Sequence, residues 1–210
     1  MKDVNIYGAC DNAIRAMNRM NVEAFGRLKM AKWDEIHVIR TVAAVYRTST
    51  EQAKKRYYEV GFEAYLLAMA ICGMDPRKAQ EMAETSITEE WVLNILTRVD
   101  PLTRYRFDTE TERKAYRLAE TLEVAPDRSR EIDTALRYWS QQLSQYAINV
   151  TDYAVAQAFM DAGVERVVWV TVPDERRCHE CAEIDGEEYD IDKIPPKPHL
   201  GCRCRLMPVK

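Results

Sequence analysis

The fold of the C-terminal region is decided by two short stretches, Cys178-His179-Glu180-Cys181 and His199-Leu200-Gly201-Cys202-Arg203-Cys204. The first has the spacing C-x2-C, the second contains H-x2-C, and 17 residues separate Cys181 from His199. In a closed zinc site each such turn presents two ligands to one ion, and the insert folds between the turns. The spacing therefore predicts a zinc site.

The candidate ligands number five, one more than the tetrahedron of sulfur and nitrogen atoms that Zn²⁺ accepts. The ligand set that we predict is Cys178, Cys181, His199 and Cys202. Cys204 is either the alternative ligand or a thiol beside the site. His179 lies inside the first turn, where we expect its ring to point outward. Because four protein ligands leave no position for water, we expect a structural rather than a catalytic metal.

Two other states of the cysteines stay open at this point: reduced thiols that bind no metal, and a pair of disulfides. The first residues, Met1 to Asn5, lack a basic region followed by an apolar run, so no signal peptide is expected. A reducing cytoplasm would favour metal over disulfides. Cys10 and Cys72 lie in apolar, helix-like sequence and are predicted to be core residues.

Further motifs flank the two turns in order along the chain. They are Trp169-Val170-Thr171, Asp174, Asp185-Gly186-x-x-Tyr189 and Pro198-His199-x2-Cys202-Arg203-Cys204. Together with C-x2-C they resemble the C-terminal signature of the phage Mu F-like minor head proteins, also called phage head morphogenesis proteins. The resemblance covers about residues 150–208 and is only compositional before that. Thr151-Asp152 falls where this family often carries a Thr-acidic pair, whereas Leu200 stands where a proline is common.

The resemblance implies a minor head protein that acts in head, or capsid, morphogenesis beside the portal. Its expected partners are the portal and head proteins of a phage or prophage. The protein would be made in the cytoplasm of the host bacterium, and some family members enter the virion head in small copy number. Whether the chain contacts DNA stays open.

The composition is that of a folded, helix-rich protein, because 47% of the 210 residues are hydrophobic and 30% are charged. The net charge of -4 disfavours broad electrostatic binding to nucleic acid or to an anionic membrane. The longest apolar stretch, from Ala64 to Met74, is too short to span a bilayer, so no membrane partner is expected.

Helical periodicity and capping signals predict a mainly α fold: an N-terminal helical bundle, then a long helix and a small zinc-stapled α+β module. We place the helical domain at residues 1–128 and the C-terminal module at residues 129–210. Helices are predicted over residues 4–30, 33–47, 48–72 and about 129–162, with further starts at Asp75-Pro76, Ser86-x-x-Glu89 and Thr109-x-x-Glu112. Strands are predicted over residues 167–172 and 203–207, with a turn at Asp185-Gly186.

The long helix carries an apolar stripe at alternating spacings of three and four, formed by Leu136, Trp139, Leu143, Tyr146, Val150 and Tyr153. Such a stripe packs along a neighbouring helix. The neighbour is either a helix of the same bundle or a second copy of the chain, so self-association through residues 136–153 is one of two interpretations.

Known catalytic motifs are missing from the sequence, including G-x-S-x-G, Walker A and G-x-G-x-x-G. His37 lies on a predicted helix and is interpreted as structural or exposed. Acidic residues between the two turns could hold a second metal and cut phosphodiesters, but a solvated loop explains them better. We therefore predict a structural head protein without enzymatic activity. A zinc-dependent nuclease and a zinc-bearing nucleic-acid-binding module are the alternatives.

Overall fold

The computed structural model describes residues 5–31, 35–171 and 178–209, and these ranges hold seven helices and three strands. The helices are α1 (Gly8–Met30), α2 (Glu35–Ile71), α3 (Pro76–Ser86), α4 (Glu89–Leu96), α5 (Phe107–Val124), α6 (Arg128–Asp161) and α7 (His179–Glu183). The strands are β1 (Arg166–Val170), β2 (Glu188–Asp190) and β3 (Arg205–Pro208). The predicted fold class, a mainly α chain with a small α+β module at its end, is confirmed. No helix in the described ranges has the length and apolar character to cross a membrane.

The helical bundle is built around α2 and α6, which pack against each other and against α1. The centre of its core is aromatic, with Phe107 stacked on Trp139 at a centroid distance of 5.8 Å and edge-on to Tyr146 at 4.8 Å. The indole Nε1 of Trp139 donates to the hydroxyl of Ser49 at 2.7 Å, and this hydroxyl donates to Asn21 at 2.5 Å. Because a buried indole needs a hydrogen-bond partner, this chain of bonds helps to fix α6 against α1 and α2.

The apolar stripe of α6 packs inside this bundle. The side chains at its centre are at most 2% exposed, and these are Trp139, Leu143, Tyr146 and Val150. Leu136 is partly buried against the same core, whereas Tyr153 at the far end is 39% exposed. Neighbouring helices of the same chain therefore cover the centre of the stripe, so it is not open to a second copy. The predicted domain boundary at residue 128 stays a prediction.

One predicted helix boundary is wrong, because α2 continues through the capping box Thr48-x-x-Glu51 without a break. Ser49 and Thr50 lie inside the bundle at 3% and 7% exposure. A cap requires the chain to leave the helix, which would withdraw both side chains from the core. Tertiary packing therefore outweighs the local capping signal here. The predicted helix start at Trp33 lies outside the described residues.

Two further helix starts lie beside the predicted capping boxes rather than in them. α4 is capped by Thr88, whose hydroxyl accepts a hydrogen bond from the backbone N of Trp91 at 3.1 Å, while Ser86 ends α3. α5 begins at Phe107, two positions before the predicted cap at Thr109. For α4, a local pattern does not choose between the polar residues Ser86 and Thr88, which are two positions apart. For α5, the N-cap is Arg106, which makes no side-chain cap hydrogen bond and therefore gives no capping signal in the sequence.

Other helix ends agree with the sequence signals. The carboxylate of Asp75 accepts from the backbone N of Arg77 at 3.0 Å, so α3 starts where predicted. Gly73 and Gly163 follow α2 and α6 with φ angles of 75° and 76°. This left-handed conformation suits glycine, and it lets the following N–H groups bond back to the last turn of each helix.

The sheet has the order β2-β1-β3, and both outer strands are antiparallel to β1. Val167 pairs with Tyr189 on one side of β1, and Trp169 pairs with Leu206 on the other. Val167 packs into the core shared with α2 and α6, whereas Trp169 packs among the cysteines. β1 therefore joins the bundle to the metal-binding region. The predicted turn at Asp185-Gly186 leads into β2, but α7 lies between β1 and β2, so no two-residue hairpin connects them.

Candidate metal centre

The first chelating turn is the start of α7. Cys178 is the N-terminal cap of this short helix, and its Sγ accepts a hydrogen bond from the backbone N of Cys181 at 3.3 Å. The thiolate is the form of cysteine that binds a metal. The capping geometry also brings the two sulfurs within 4.8 Å of each other. The turn is thus shaped for chelation by its own backbone.

Cys181 is the centre of the cluster, since its Sγ lies 3.3 Å from Nε2 of His199 and 3.6 Å from Sγ of Cys202. The ligand atoms of Cys178, Cys181 and His199 all lie within 4.8 Å of one another, and so do those of Cys181, Cys202 and Cys204. A tetrahedron with Zn–S bonds of about 2.3 Å has edges of about 3.8 Å. The structure therefore brings the five candidate donors into two groups of three that share Cys181, and each group has distances that could hold a metal ion.

The cysteines of this cluster are free thiols in the structure. The sulfurs of Cys181 and Cys202 are 3.6 Å apart, whereas a disulfide needs about 2.05 Å. Burial raises the pKa of the Cys181 thiol, with a further contribution from its hydrogen bond to Cys178, and burial also raises the pKa of Cys202. Thiols packed this closely ionise together only next to a cation, so the donor set fits a metal better than it fits disulfides.

The two histidines near the turns have different roles. Nδ1 of His199 lies 2.9 Å from the carbonyl oxygen of Leu200. A proton on Nδ1 donates to this oxygen, which leaves the lone pair of Nε2 directed at the cluster. The side chain of His179 is 86% exposed and lies 3.4 Å from the carboxylate of Glu183. His179 thus points outward, as predicted.

An apolar wall covers the cluster on the side of the sheet. Trp169 is 2% exposed and meets Tyr189 edge-on, at a centroid distance of 6.3 Å. Ile184, Ile194 and Leu206 pack around the same cysteines. These side chains exclude water, which strengthens the attraction between a bound cation and its thiolates.

Lys197 anchors the second chelating turn. Its Nζ donates to the backbone carbonyls of Cys202 at 3.1 Å and Cys204 at 2.8 Å, and it forms an ion pair with Asp152 at 3.0 Å. The hydroxyl of Tyr7 donates to the carboxylate of Asp152 at 2.5 Å and accepts a hydrogen bond from Nζ of Lys197. We term Tyr7, Asp152 and Lys197 the lysine clamp. The Lys197 side chain is only 12% exposed, so protein groups rather than water compensate its charge.

The lysine clamp connects three distant parts of the chain: the start of α1, the middle of α6 and the segment before His199. Burial and the Asp152 carboxylate raise the pKa of Tyr7, so its hydroxyl stays protonated and can donate. Sequence analysis missed Tyr7 and Lys197, because nothing in their local sequence marks them. Asp152 did carry a signal, as the acidic member of the Thr-acidic pair.

A second connection runs from the chelating turn across α6. The backbone N of Gly201 donates to Oε1 of Gln145 at 2.7 Å, and Nε2 of Gln145 donates to Asn149 at 2.8 Å. Asn149 in turn donates to the carboxylate of Asp100, in the loop between α4 and α5, at 2.5 Å. Gln145 and Asp100 are each 4% exposed, so this chain of hydrogen bonds is shielded from water. It fixes the turn that carries His199 and Cys202 to the bundle.

The remaining candidate groups do not join the cluster. In the described ranges some acidic side chains of the insert form surface ion pairs, such as Asp190 with Lys193 at 2.8 Å and Glu188 with Arg166 at 2.9 Å. Asp174 lies outside the described residues. In the described part of the chain the potential metal ligands thus form two groups of three that share Cys181.

Comparison with known proteins finds a similarity in this region. Residues 119–207 match the family described as Phage Mu protein F like protein. No curated protein and no solved structure matches the chain. The matched segment begins near the end of α5, contains all of α6, β1 and β2 and most of β3, and includes both chelating turns. It therefore starts earlier than the signature recognised from the sequence. Residues 119–207, which are less than half of the 210-residue chain, are thus similar to the phage Mu protein F like family.

Proposed function

We propose that this chain is a minor head protein that acts in phage head morphogenesis beside the portal, and that it contains a structural zinc centre. The observation that carries the proposal is the convergence of five sulfur and nitrogen donors on Cys181, inside the segment that matches the family. The similarity to the family supports the proposed role in the head. The cluster of metal-binding side chains supports the proposal that the C-terminal module needs a metal ion in order to fold.

In this proposal Cys178, Cys181, His199 and Cys202 hold the metal, and Cys204 is the alternative to His199. Thiolate and imidazole donors in a tetrahedral set suit Zn²⁺. Four protein ligands leave no open position for a water nucleophile, so the centre is structural and the chain is not an enzyme. The zinc would tie α7 to the turn before β3.

The need for a metal follows from the size of the module. Its strands β1, β2 and β3 contain five, three and four residues. So small a sheet buries too little apolar area to stay ordered alone, whereas metal binding contributes directly to folding free energy. The order of the module would thus determine whether its surface is available to partners during head assembly in the host cytoplasm, and later in the virion head.

The proposal is tested by co-expressing the chain with the portal and head proteins and measuring zinc per chain together with incorporation into heads. We expect about one zinc per wild-type chain. Cys181→Ser should remove both the zinc and the incorporation. Cys72→Ser is the matched control, since Cys72 lies outside the cluster, and it should preserve both. Wild-type chain that folds and enters heads without metal would contradict the proposal.

A further inference from the structure

We infer that the groove between α2, α4 and α5 binds an amphipathic helix of a protein partner. This inference is independent of the metal centre and of the proposed role in the head. The groove has a volume of about 500 Å³. Its floor contains the buried side chains of Tyr46, Leu96 and Phe107, and its lining is mostly apolar.

Large apolar side chains are exposed around this groove. Ile39 from α2 and Leu93 from α4 are each 48% exposed, and Tyr116 from α5 is 60% exposed. Single exposed apolar residues are common on protein surfaces, but three from three helices that line one groove form a patch. Such patches mark surfaces that are covered in a complex.

A buried hydroxyl in the groove also lacks a partner. Thr50 lines the groove and is 7% exposed, and its Oγ1 has no hydrogen-bond partner within the described part of the chain. Thr111, on the opposite helix, donates in the ordinary way to the carbonyl of Phe107 at 2.8 Å. A polar atom of a bound partner would satisfy the Thr50 hydroxyl, which is otherwise costly to bury.

The charges of the groove are divided between its two longer walls. α2 contributes Arg47 and Lys54, whereas α5 contributes Asp108 and Glu112. Lys54 is paired with Glu51 and Asp108 with Arg106, but Arg47 and Glu112 have no ion-pair partner among the described residues. A complementary partner therefore carries acidic groups along its α2 flank and basic groups along its α5 flank.

The walls favour a helix over an extended peptide. In the helices that form these walls, the backbone N–H and C=O groups already bond to each other, so they cannot pair with the backbone of an extended peptide. A guest helix needs no such pairing, because its backbone groups form hydrogen bonds within the helix. The α2 wall runs from Ile39 to Lys54, a length of about 22 Å at 1.5 Å per residue. A guest helix of about 14 residues matches this length and presents apolar side chains at spacings of three and four.

The probes are three labelled, helix-stapled peptides of about 14 residues that share one leucine face. One has a glutamate flank and a lysine flank, one has two glutamate flanks, and one has two lysine flanks. We expect the mixed peptide to bind the wild-type chain at least about tenfold more tightly than the other two, as measured by fluorescence anisotropy. Because Asp108 stays paired with Arg106, Glu112→Arg leaves on each wall a positive charge without an ion-pair partner among the described residues, and it should shift the preference to the peptide with two glutamate flanks.

Leu93→Glu should weaken binding of the mixed peptide by at least about tenfold. Val124→Glu is the matched control, because Val124 is 84% exposed and lies outside the groove lining. Circular dichroism verifies that both variants fold. Equal binding of the three peptides, binding of none, or binding that survives Leu93→Glu would overturn the inference. So would a wild-type dimer that Leu93→Glu converts to a monomer, because a second copy would then be the occupant.

Discussion

In the helical bundle, which includes α6, the largest fully buried side chains are aromatic, such as Trp139, Tyr57 and Phe25, whereas the core of the small module that follows α6 is Trp169 with three cysteines. Cysteine side chains bury little apolar area, so this module cannot match the bundle in hydrophobic stabilisation. Instead, a few directional contacts hold it: the donor cluster, the lysine clamp and the hydrogen bonds of Gln145. A single substitution in the module should therefore disorder the module alone, whereas a single substitution in the bundle core should lower the stability of the whole bundle.

The largest effect should come from removing one donor at the centre of the cluster. Cys181→Ser should abolish zinc binding and unfold the residues after about Val164, because the binding free energy of a structural zinc, ~10 kcal/mol or more in small zinc peptides, is folding free energy of the module. Most of the helical circular dichroism should survive. Hydrogen exchange read by mass spectrometry would locate the damage.

Cys72→Ser is the control for Cys181→Ser, and its exchange pattern should follow the wild type. The same measurement tests whether the helices and the residues after about Val164 are separate cooperative units. Exchange that rises evenly through α1 to α6 in Cys181→Ser would show one cooperative unit and make the division wrong.

The next largest effect should come from the aromatic core of the bundle. Trp139→Ala should lower the free energy of unfolding by ~3–5 kcal/mol, because it leaves a cavity against Phe107 and removes the donor to Ser49. Urea unfolding followed by circular dichroism measures this loss. Zinc content at low urea should stay at the wild-type level. Trp139→Phe keeps most of the side-chain volume and should lower the free energy of unfolding clearly less. An equal decrease in both variants would contradict the packing explanation.

A smaller effect should follow from breaking the lysine clamp. Lys197→Met leaves the Asp152 carboxylate without its cation and frees the carbonyls of Cys202 and Cys204. Since contacts that orient metal ligands typically contribute ~10–100-fold to metal affinity, zinc affinity should fall by about that factor in a competition assay with a chelating dye.

Lys193→Met is the matched control for the clamp. Lys193 is also paired with an aspartate, Asp190, at 2.8 Å, but the two side chains are 71% and 52% exposed. Such an exposed pair is screened by water and contributes little, so zinc affinity should not change. If both lysine variants lower zinc affinity equally, the loss of a positive charge rather than the geometry of the lysine clamp is responsible.

The smallest effect should come from the hydrogen bonds across α6. Gln145→Leu removes the acceptor for the backbone N of Gly201 and should reduce stability by about 1 kcal/mol. Thermal unfolding with zinc present measures it, and hydrogen exchange should rise most at the turn around Gly201. Gln141→Leu, on an exposed position of the same helix, should stay within about 0.5 kcal/mol of the wild type. A larger loss in Gln141→Leu than in Gln145→Leu would contradict this role.

Much of the architecture could be predicted because its signals are local. The start of α3 at Asp75-Pro76 and the helix ends before Gly73 and Gly163 depend on the conformational preferences of single residues. The break inside α2 was predicted wrongly because a capping box is also local, whereas the burial of Ser49 depends on Asn21 and Trp139. Capping signals are therefore dependable where no distant core competes for the same side chains.

By itself the sequence determined the five candidate donors, because a two-residue spacing brings two side chains to one side of a turn whatever the rest of the chain does. Only the tertiary structure decided that α6 buries its stripe inside its own bundle, and that Lys197 is the residue that anchors the chelating turn. Tyr7 and Lys197 are 190 positions apart, and Gly201 and Gln145 are 56 apart. Contacts at such separations leave no periodicity or spacing in the sequence, since they depend on how whole helices pack.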